Sequence, residues 1–243
     1  MTAGRKGRGG DDRITVRLRA GKRRTASSRR WLERQINDPY VAAASKEGLR
    51  SRAAFKLIEL DEKFRLLAPG RRVVDLGAAP GSWTQVAVER VCKGRSTADG
   101  RVVAVDLRAM EPVPGAIVIE GDALAPETRA TVLEALGGPA DLVLSDMSAP
   151  ATGHKGTDHL RIVALCEDAF AFAEEALAPG GAFVCKVLKG GAEAGLLAEI
   201  RRGFAAVRHA KPRATRVESA EVYLVATGFR GRRGHRDGGG EEA

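Results

Sequence analysis

The stretch from Val73 to Trp83, which reads Val-Val-Asp-Leu-Gly-Ala-Ala-Pro-Gly-Ser-Trp, most restricts the folds open to this chain. Its apolar pair, acid, glycine-proline turn and helical pattern from Ser82 predict a buried strand that runs through a tight loop into a helix. In open α/β sheets, nucleotide-like ligands bind at such a loop. Gly77 and Gly81 would let a ligand approach the backbone, because glycine has no Cβ. An ordinary strand-to-helix turn is the alternative, and the rest of the chain favours a ligand site.

Strand and helix patterns alternate regularly around this stretch, and their order predicts the fold class. Strands are predicted near 72–77, 101–106, 116–120, 141–146, 181–187, 205–210 and 221–226. Helices are predicted near 82–92, 126–137, 158–178 and 193–203. Continuous apolar strands such as 102–105 indicate a sheet covered by helices on both faces. We therefore predict an α/β fold with a doubly wound, mostly parallel seven-stranded sheet, in which the last two strands form an antiparallel hairpin.

The excess positive charge of the chain lies at its N-terminus. Residues 1–30 contain 11 Lys or Arg and two Asp, a net charge of +9 that equals the net charge of all 243 residues. Glycine, arginine and serine dominate residues 1–28, so we predict a disordered basic arm of the kind that neutralises nucleic-acid phosphates. A solubilising tail and an organelle transit peptide are the alternatives. Residues 229–243, rich in glycine and arginine, are predicted to form a flexible tail.

The remaining residues, 29–228, are predicted to form a single domain. A chain that is 44% hydrophobic can bury a sizeable core. No apolar run is long enough to span a bilayer and no secretory signal precedes the domain, so we expect a cytoplasmic protein. Three cysteines, Cys92, Cys166 and Cys185, lack the spacing of a zinc site. They are predicted to be buried thiols, with neither a disulfide framework nor a bound metal.

A helical segment, residues 29–67, is predicted to precede the core at 68–228. Ser51 can cap a helix whose apolar positions, Phe55 and Ile58 among them, face inward. Residues 46–72 contain eight Lys or Arg and four acids, which makes this segment a second basic surface. Lys56 lies among the apolar positions. A lysine on a helix is ordinarily solvated. A functional role for Lys56 therefore requires a second group that interacts with its charge.

Several predicted strands end on an ionisable residue. These are Asp75, Asp106, Asp122, Asp146 and Lys186. The carboxyl ends of parallel strands meet at the ligand crevice of an open α/β sheet, so we expect these side chains to converge. Asp106 lies 25 residues after Gly81, near the offset at which an acid accepts hydrogen bonds from a ribose diol. Asp122 ends the next strand and is placed to meet an adenine edge; a strand-end turn residue is the alternative for either acid.

Lys186 lies inside an otherwise apolar strand, where an unpaired charge is costly. Asp146 on the adjacent predicted strand and Glu221 at the start of the last strand are the candidate partners. A purely structural ion pair is one interpretation. The position of all three groups at the same rim of the sheet favours a functional one.

A set of motifs resembles the FtsJ/RlmE family of S-adenosylmethionine-dependent RNA ribose 2′-O-methyltransferases. The set comprises the turn described first, Ser-Arg-Ala-Ala-Phe-Lys-Leu around Lys56, Ser-Asp-Met around Asp146, Phe-Val-Cys-Lys-Val around Lys186 and Glu-Val-Tyr-Leu-Val-Ala-Thr-Gly from Glu221. The motifs occur in the order and spacing of the family and cover about 27–228. The resemblance implies a Rossmann-like methyltransferase fold.

The resemblance also implies site residues, cofactor and substrate. The catalytic residues would be Lys186 as proton acceptor with Lys56, Asp146 and Glu221, and S-adenosyl-L-methionine would lie against Gly81, Trp83, Asp106, Asp122 and Asp146. Bacterial members methylate a uridine in the A-loop of 23S ribosomal RNA within the large subunit. We therefore expect that partner, no membrane, no metal and a monomer.

Three other functions stay open from the sequence. A transfer RNA ribose is the alternative substrate, and a non-catalytic RNA-binding factor of ribosome assembly is the alternative class. A nicotinamide dehydrogenase is disfavoured, because the third glycine of G-x-G-x-x-G is missing and Pro80 stiffens the turn.

Overall fold

The computed structural model describes residues 26–92, 100–150, 152–189 and 194–231. The helices are α1 (Ala26–Ile36), α2 (Pro39–Lys46), α3 (Ala54–Phe64), α4 (Ser82–Val91), α5 (Pro126–Leu136), α6 (Lys155–Ala176) and α7 (Ala194–Gly203). The strands are β1 (Arg72–Leu76), β2 (Arg101–Asp106), β3 (Ala116–Glu120), β4 (Ala140–Ser145), β5 (Leu177–Leu188), β6 (Phe204–Ala210) and β7 (Glu221–Phe229). Nearly all of the predicted arm and most of the predicted tail lie outside these residues.

The seven strands form one sheet in the order β3-β2-β1-β4-β5-β7-β6. Strands β1 to β5 pair in parallel, and β7 runs antiparallel between β5 and β6. The predicted fold class and the closing antiparallel pair are therefore confirmed. Because β7 runs against β5, its first residues lie beside the last residues of β5. Glu221 is opposite Leu188, and Tyr223 is opposite Lys186.

Helices cover both faces of the sheet, and strand side chains alternate between two cores. Phe183 and Leu224 point to the face covered by α5, α6 and α7, where both are buried. Val184 and Val225 point to the opposite face, against α3 and α4. Successive strand residues face opposite sides, so Lys186 and Tyr223 share the second face with these valines.

Helix α3 packs on this second face through fully buried Leu57 and Leu60. The predicted cap by Ser51 is wrong, because α3 begins at Ala54 with Ala53 at the cap position and no side-chain hydrogen bond there. The Ser51 hydroxyl instead accepts from the Ala53 amide at 3.2 Å and is hydrogen-bonded to the Ser82 hydroxyl at 2.7 Å. Ser51 thus ties the approach to α3 to the first turn of α4.

Two of the three cysteines are paired. Cys166 of α6 and Cys185 of β5 form a disulfide with their Cα atoms 6.2 Å apart, and Cys92 is free. The prediction of buried thiols without a disulfide is wrong for this pair. The pairing follows from the packing of α6 on β5, and a separation of 19 residues carries no signal of that contact.

None of the helices in the described ranges combines the length and the apolar character of a membrane span. The same ranges contain no group of three or more His, Cys, Asp or Glu side chains arranged to hold a metal ion.

Candidate active site

The turn between β1 and α4 is held by close backbone contacts. Gly77 has a φ of 74°, and a Cβ at this position would lie 2.7 Å from the Met147 side chain. The Gly77 amide donates to the Val105 carbonyl at 2.9 Å, and the Ala79 amide donates to Asp106 Oδ2 at 2.9 Å. The turn therefore packs against the end of β2. Position 77 requires glycine, because the backbone there lies against Met147 in the loop after β4.

A cavity of about 690 Å³ opens beside this turn at the carboxyl edge of the sheet. We call it the strand-end cavity. Gly77, Asp106, Asp122, Asp146 and Lys186 are among the residues that line it. Its size falls in the range of small-molecule and cofactor sites. The expected convergence of these three acids and Lys186 is therefore present in the structure.

Two further residues predicted to bind the cofactor lie outside the lining of this cavity. Gly81 begins α4 with a φ of 99°, and a Cβ there would lie 2.6 Å from Arg50 Nη1. Trp83 is 3% exposed, and its indole N–H donates to the Ala53 carbonyl at 2.9 Å. Gly81 and Trp83 thus support the turn and the core beneath it, and their contact with a cofactor stays a prediction.

Asp75 does not reach the crevice with the other strand-end acids. It lies within β1, 1% exposed, and accepts a hydrogen bond from the Thr84 hydroxyl at 2.7 Å. The pKa of Asp75 is raised to about 7, mainly by burial; the hydrogen bond from Thr84 opposes the shift, and the nearby charges of Asp146 and Asp106 contribute to it. This carboxyl sits under the site instead of lining it.

The four residues predicted to be catalytic form two ion pairs. Lys56 Nζ lies 2.6 Å from Glu221 Oε1, and Lys186 Nζ lies 3.2 Å from Asp146 Oδ1. Lys186 also donates to the Asp146 main-chain carbonyl at 2.8 Å. All four side chains are at most 20% exposed, so their charges interact with little screening by solvent. The predicted partners of Lys186 are thus divided, because Glu221 pairs with Lys56 and Asp146 with Lys186.

Tyr223 joins the two pairs, and sequence reasoning missed it. Its hydroxyl lies 2.9 Å from both Asp146 Oδ1 and Glu221 Oε1, to either of which it can donate, and it accepts from Lys56 Nζ at 3.2 Å. Strand alternation was the available signal, since residues 221 and 223 share one face of a strand. Burial, followed by the charges of Asp146 and Glu221, raises the pKa of Tyr223 well above 10.0. The phenol therefore stays protonated, and its O–H group donates a hydrogen bond to one of the two carboxylates.

Comparison with known proteins identifies the family. The family model described as FtsJ-like methyltransferase matches residues 49–229. The chain belongs to this family. The earlier resemblance is confirmed, and the matched range contains both ion pairs and the strand-end cavity.

Curated relatives of this FtsJ-like methyltransferase are similar over nearly their whole length. A protein of Paramagnetospirillum magneticum named Ribosomal RNA large subunit methyltransferase E is 58% identical over 223 residues, which covers 92% of this chain and 91% of that protein. A Xanthobacter autotrophicus protein of the same name is 57% identical over 225 residues, covering 92% and 88%. A crystal structure of a Plasmodium falciparum protein described as a ribosomal RNA methyltransferase has a TM-score of 0.67 at 31% identity and covers 75% of this chain and 100% of that one.

Arg50 is a second residue of this FtsJ-like methyltransferase that sequence reasoning missed. Its guanidinium donates to the carbonyls of Pro80 at 2.8 Å, Glu111 at 2.6 Å and Pro112 at 2.7 Å. It therefore joins the turn after β1 to the connection between β2 and β3. Both segments border the strand-end cavity, so Arg50 is placed to hold its rim. One arginine among 40 basic residues carries no signal of such contacts.

Proposed function

We propose that this FtsJ-like methyltransferase transfers a methyl group from S-adenosyl-L-methionine to a ribose 2′-OH of 23S ribosomal RNA in the large subunit, at a uridine of the A-loop. The observation that carries the proposal is the Lys186–Asp146 pair in the wall of the strand-end cavity, with the amine 3.2 Å from Asp146 Oδ1. The relatives named Ribosomal RNA large subunit methyltransferase E support the substrate. Such a substrate implies work in the cytoplasm.

The residues of the strand-end cavity fit this cofactor. Asp106 and Asp122, at the ends of β2 and β3, are the carboxylates that would accept hydrogen bonds from the ribose diol and the adenine amine. Both keep their positions through backbone amides, from Ala79 at 2.9 Å and Leu124 at 3.0 Å respectively. Asp146 would lie near the amino-acid end, and Gly81 and Trp83 would support the turn. When bound, the cofactor supplies a methyl group on a positively charged sulfur.

Lys186 is the residue that would accept the proton of the ribose hydroxyl. A free lysine amine is protonated at neutral pH, so the proton must leave before the hydroxyl can be activated. Lys186 is placed for this role, because its side chain lines the strand-end cavity and its amine is held by the Asp146 carbonyl at 2.8 Å and by Asp146 Oδ1 at 3.2 Å. Asp146 would hold the amine in the direction of the cavity.

Lys56 has different contacts and a different proposed role. Its amine lies 2.6 Å from Glu221 Oε1 and donates to the Tyr223 phenol oxygen at 3.2 Å. A lysine ammonium group can bind a phosphate or a ribose oxygen of the target nucleotide. Lys56 and Glu221 would therefore position the RNA, while Lys186 would carry the proton.

The test is transfer of labelled methyl from S-adenosyl-L-methionine to large ribosomal subunits that lack the modification, to free 23S RNA and to transfer RNA. Wild type is compared with Lys186→Ala and with Lys63→Ala, a matched control on the exposed side of α3. We expect label at a ribose 2′-O of a uridine in the large subunit with wild type and with the control. Transfer by the Lys186→Ala protein should be at least about 10²-fold slower.

Other outcomes would change the proposal in defined ways. Label on transfer RNA alone would keep the chemistry and overturn the substrate. If no RNA is labelled but binding to the large subunit is retained, the proposed catalytic function is wrong and a role in ribosome assembly is favoured.

A further inference from the structure

A second cavity lies beside the Lys56–Glu221 pair and is separate from the strand-end cavity. It encloses about 330 Å³, and its walls carry four cationic side chains, Arg34, Arg52, Lys56 and Arg216, and two carboxylates. We call it the basic cavity. Three elements that are distant in sequence form it: α1, the start of α3 with the residues before it, and the connection 211–220 between β6 and β7.

The charges around the basic cavity are incompletely neutralised. Asp38 lies 2.8 Å from Arg52 Nε and 3.7 Å from Arg216 Nη2, so one carboxylate is shared by two guanidinium groups. Asp38 is 8% exposed and can offset only one of those two charges. Arg52 also donates to the Ala214 carbonyl at 2.6 Å, which fixes the connection 211–220 against the start of α3. Arg52 thus joins two walls of the cavity, and one of the two guanidinium charges beside Asp38 is not neutralised by it.

Thr215 is an independent indication that this cavity binds a ligand. The residue lines the cavity and is 4% exposed, and its hydroxyl has no hydrogen-bond partner in the part of the chain that the structure describes. Its amide is satisfied by the Pro212 carbonyl at 2.9 Å. An unpaired buried hydroxyl is costly, and such groups in native proteins have partners. A hydroxyl and guanidinium groups together favour an oxygen-rich anion.

The position of the basic cavity relative to the ion pairs indicates which anion it would bind. Lys56 and Glu221 line the basic cavity, while Asp146 and Lys186 line the strand-end cavity. The two ion pairs, joined by Tyr223, therefore form the partition between the cavities. A target ribose with its 2′-OH at Lys186, as in the proposed function, would place its backbone phosphate on the Lys56 side of this partition.

We propose that the basic cavity binds the backbone phosphate next to the methylated ribose, with Arg216 and Thr215 as its direct contacts. The inference rests on the proposed function and names the subsite that positions the RNA strand. Arg34 on α1 would extend the positive path along which the strand leaves the site. The connection 211–220 thereby becomes an RNA-binding element in addition to a link between two strands.

The test measures the affinity for an unmodified transcript of 23S RNA as a function of KCl concentration, without methyl transfer. The variants are Arg216→Gln, Arg216→Lys and Thr215→Val. The control is Arg202→Gln, which removes an exposed charge of α7, on the other face of the sheet and at the opposite end of β6 from the connection 211–220. We expect Arg216→Gln to weaken binding about tenfold and to reduce the salt slope by about 1. Arg216→Lys should keep the slope, and Arg202→Gln should behave as wild type.

Thr215→Val separates a ligand contact from a structural role. Valine has nearly the shape of threonine and removes the unpaired hydroxyl, so the unfolding temperature should be unchanged or higher. RNA affinity should nevertheless fall about threefold to tenfold at an unchanged salt slope, because no charge is lost. Calorimetric affinity for S-adenosyl-L-methionine should be that of wild type.

Wild-type affinity and salt slope in both Arg216→Gln and Thr215→Val would overturn the subsite. This outcome is distinct from failure of the proposed function, which is an absence of methyl transfer by wild type.

Discussion

The two ion pairs each join a lysine to a carboxylate, and they differ in their surroundings. Lys56 is held by a carboxylate at 2.6 Å and a phenol, whereas the closest partner of Lys186 is a neutral carbonyl at 2.8 Å, with the carboxylate at 3.2 Å. The contact between amine and carboxylate is therefore closer in the Lys56 pair. In the function proposed above, the Lys56 pair binds the RNA on one side of the partition and Lys186 accepts the proton on the other.

The different roles of the two ion pairs are tested most strongly by replacing each lysine in turn with alanine. Lys186→Ala should lower kcat by about 10² to 10⁴, the usual contribution of a general base, with little change in KM for the RNA. Lys56→Ala should mainly raise KM for the RNA, because it removes a contact made before the reaction. Steady-state kinetics on unmodified large subunits provide the measurement, with Lys63→Ala as the control. Equal effects of both changes on kcat would contradict the division of roles.

Removing the link between the pairs should have the next largest effect. Tyr223→Phe keeps the ring against Trp83, at 5.5 Å between centroids, and removes the hydroxyl that contacts both carboxylates. We expect the free energy of unfolding to fall by about 1 kcal/mol and kcat by about tenfold, since Asp146 and Glu221 lose a shared donor. Urea denaturation and single-turnover kinetics measure the two effects. A variant as active and as stable as wild type would show that the pairs act separately.

Changing the rim of the strand-end cavity should affect one side of the partition only. Arg50→Gln removes donors to three carbonyls, and we expect the Kd for S-adenosyl-L-methionine to rise about tenfold. Arg50→Lys should lose nearly as much, because a single ammonium group cannot reproduce the planar donor set. Calorimetry with the cofactor, and RNA binding measured in parallel, make the test. Loss of RNA affinity with intact cofactor affinity would assign Arg50 to the other side.

The smallest effect on activity is expected at Asp75, which responds to the charge of Asp146. Its folded pKa is about 7, above the 3.8 of an ordinary aspartate, so the folded state binds the extra proton between these values. This contribution to stability is complete below about pH 4 and is lost as the pH rises towards 7. Asp75→Asn does not titrate, so its free energy of unfolding should improve relative to wild type between pH 4 and pH 8. Denaturant titrations at several pH values measure the difference, and parallel curves would contradict the assignment.

The strand-end cavity was largely predictable, and the partition was predictable only in part. Asp106 ends β2, and Asp146 and Asp122 follow the ends of β4 and β3 by one and two residues. Parallel strands bring their carboxyl ends together, so local pattern and topology placed these acids in one crevice. Asp75 has the same kind of pattern but lies one step inside β1, because its strand continues to Leu76. Tyr223 was not predicted as a site residue, since its hydroxyl matters only where β7 lies beside β5 and close to α3.

The sequence by itself determined the fold class, the family and the identity of the four paired residues, because strand and helix periods and local motifs are encoded over short distances. Only the tertiary structure decided which carboxylate each lysine meets. Lys56 and Glu221 are 165 residues apart, and their contact depends on the register of β7 against β5 and on the packing of α3. The basic cavity has the same origin, since α1, α3 and the connection 211–220 meet only after the sheet has formed. Contacts between distant elements are set by packing, and packing is not a property of any one stretch of sequence.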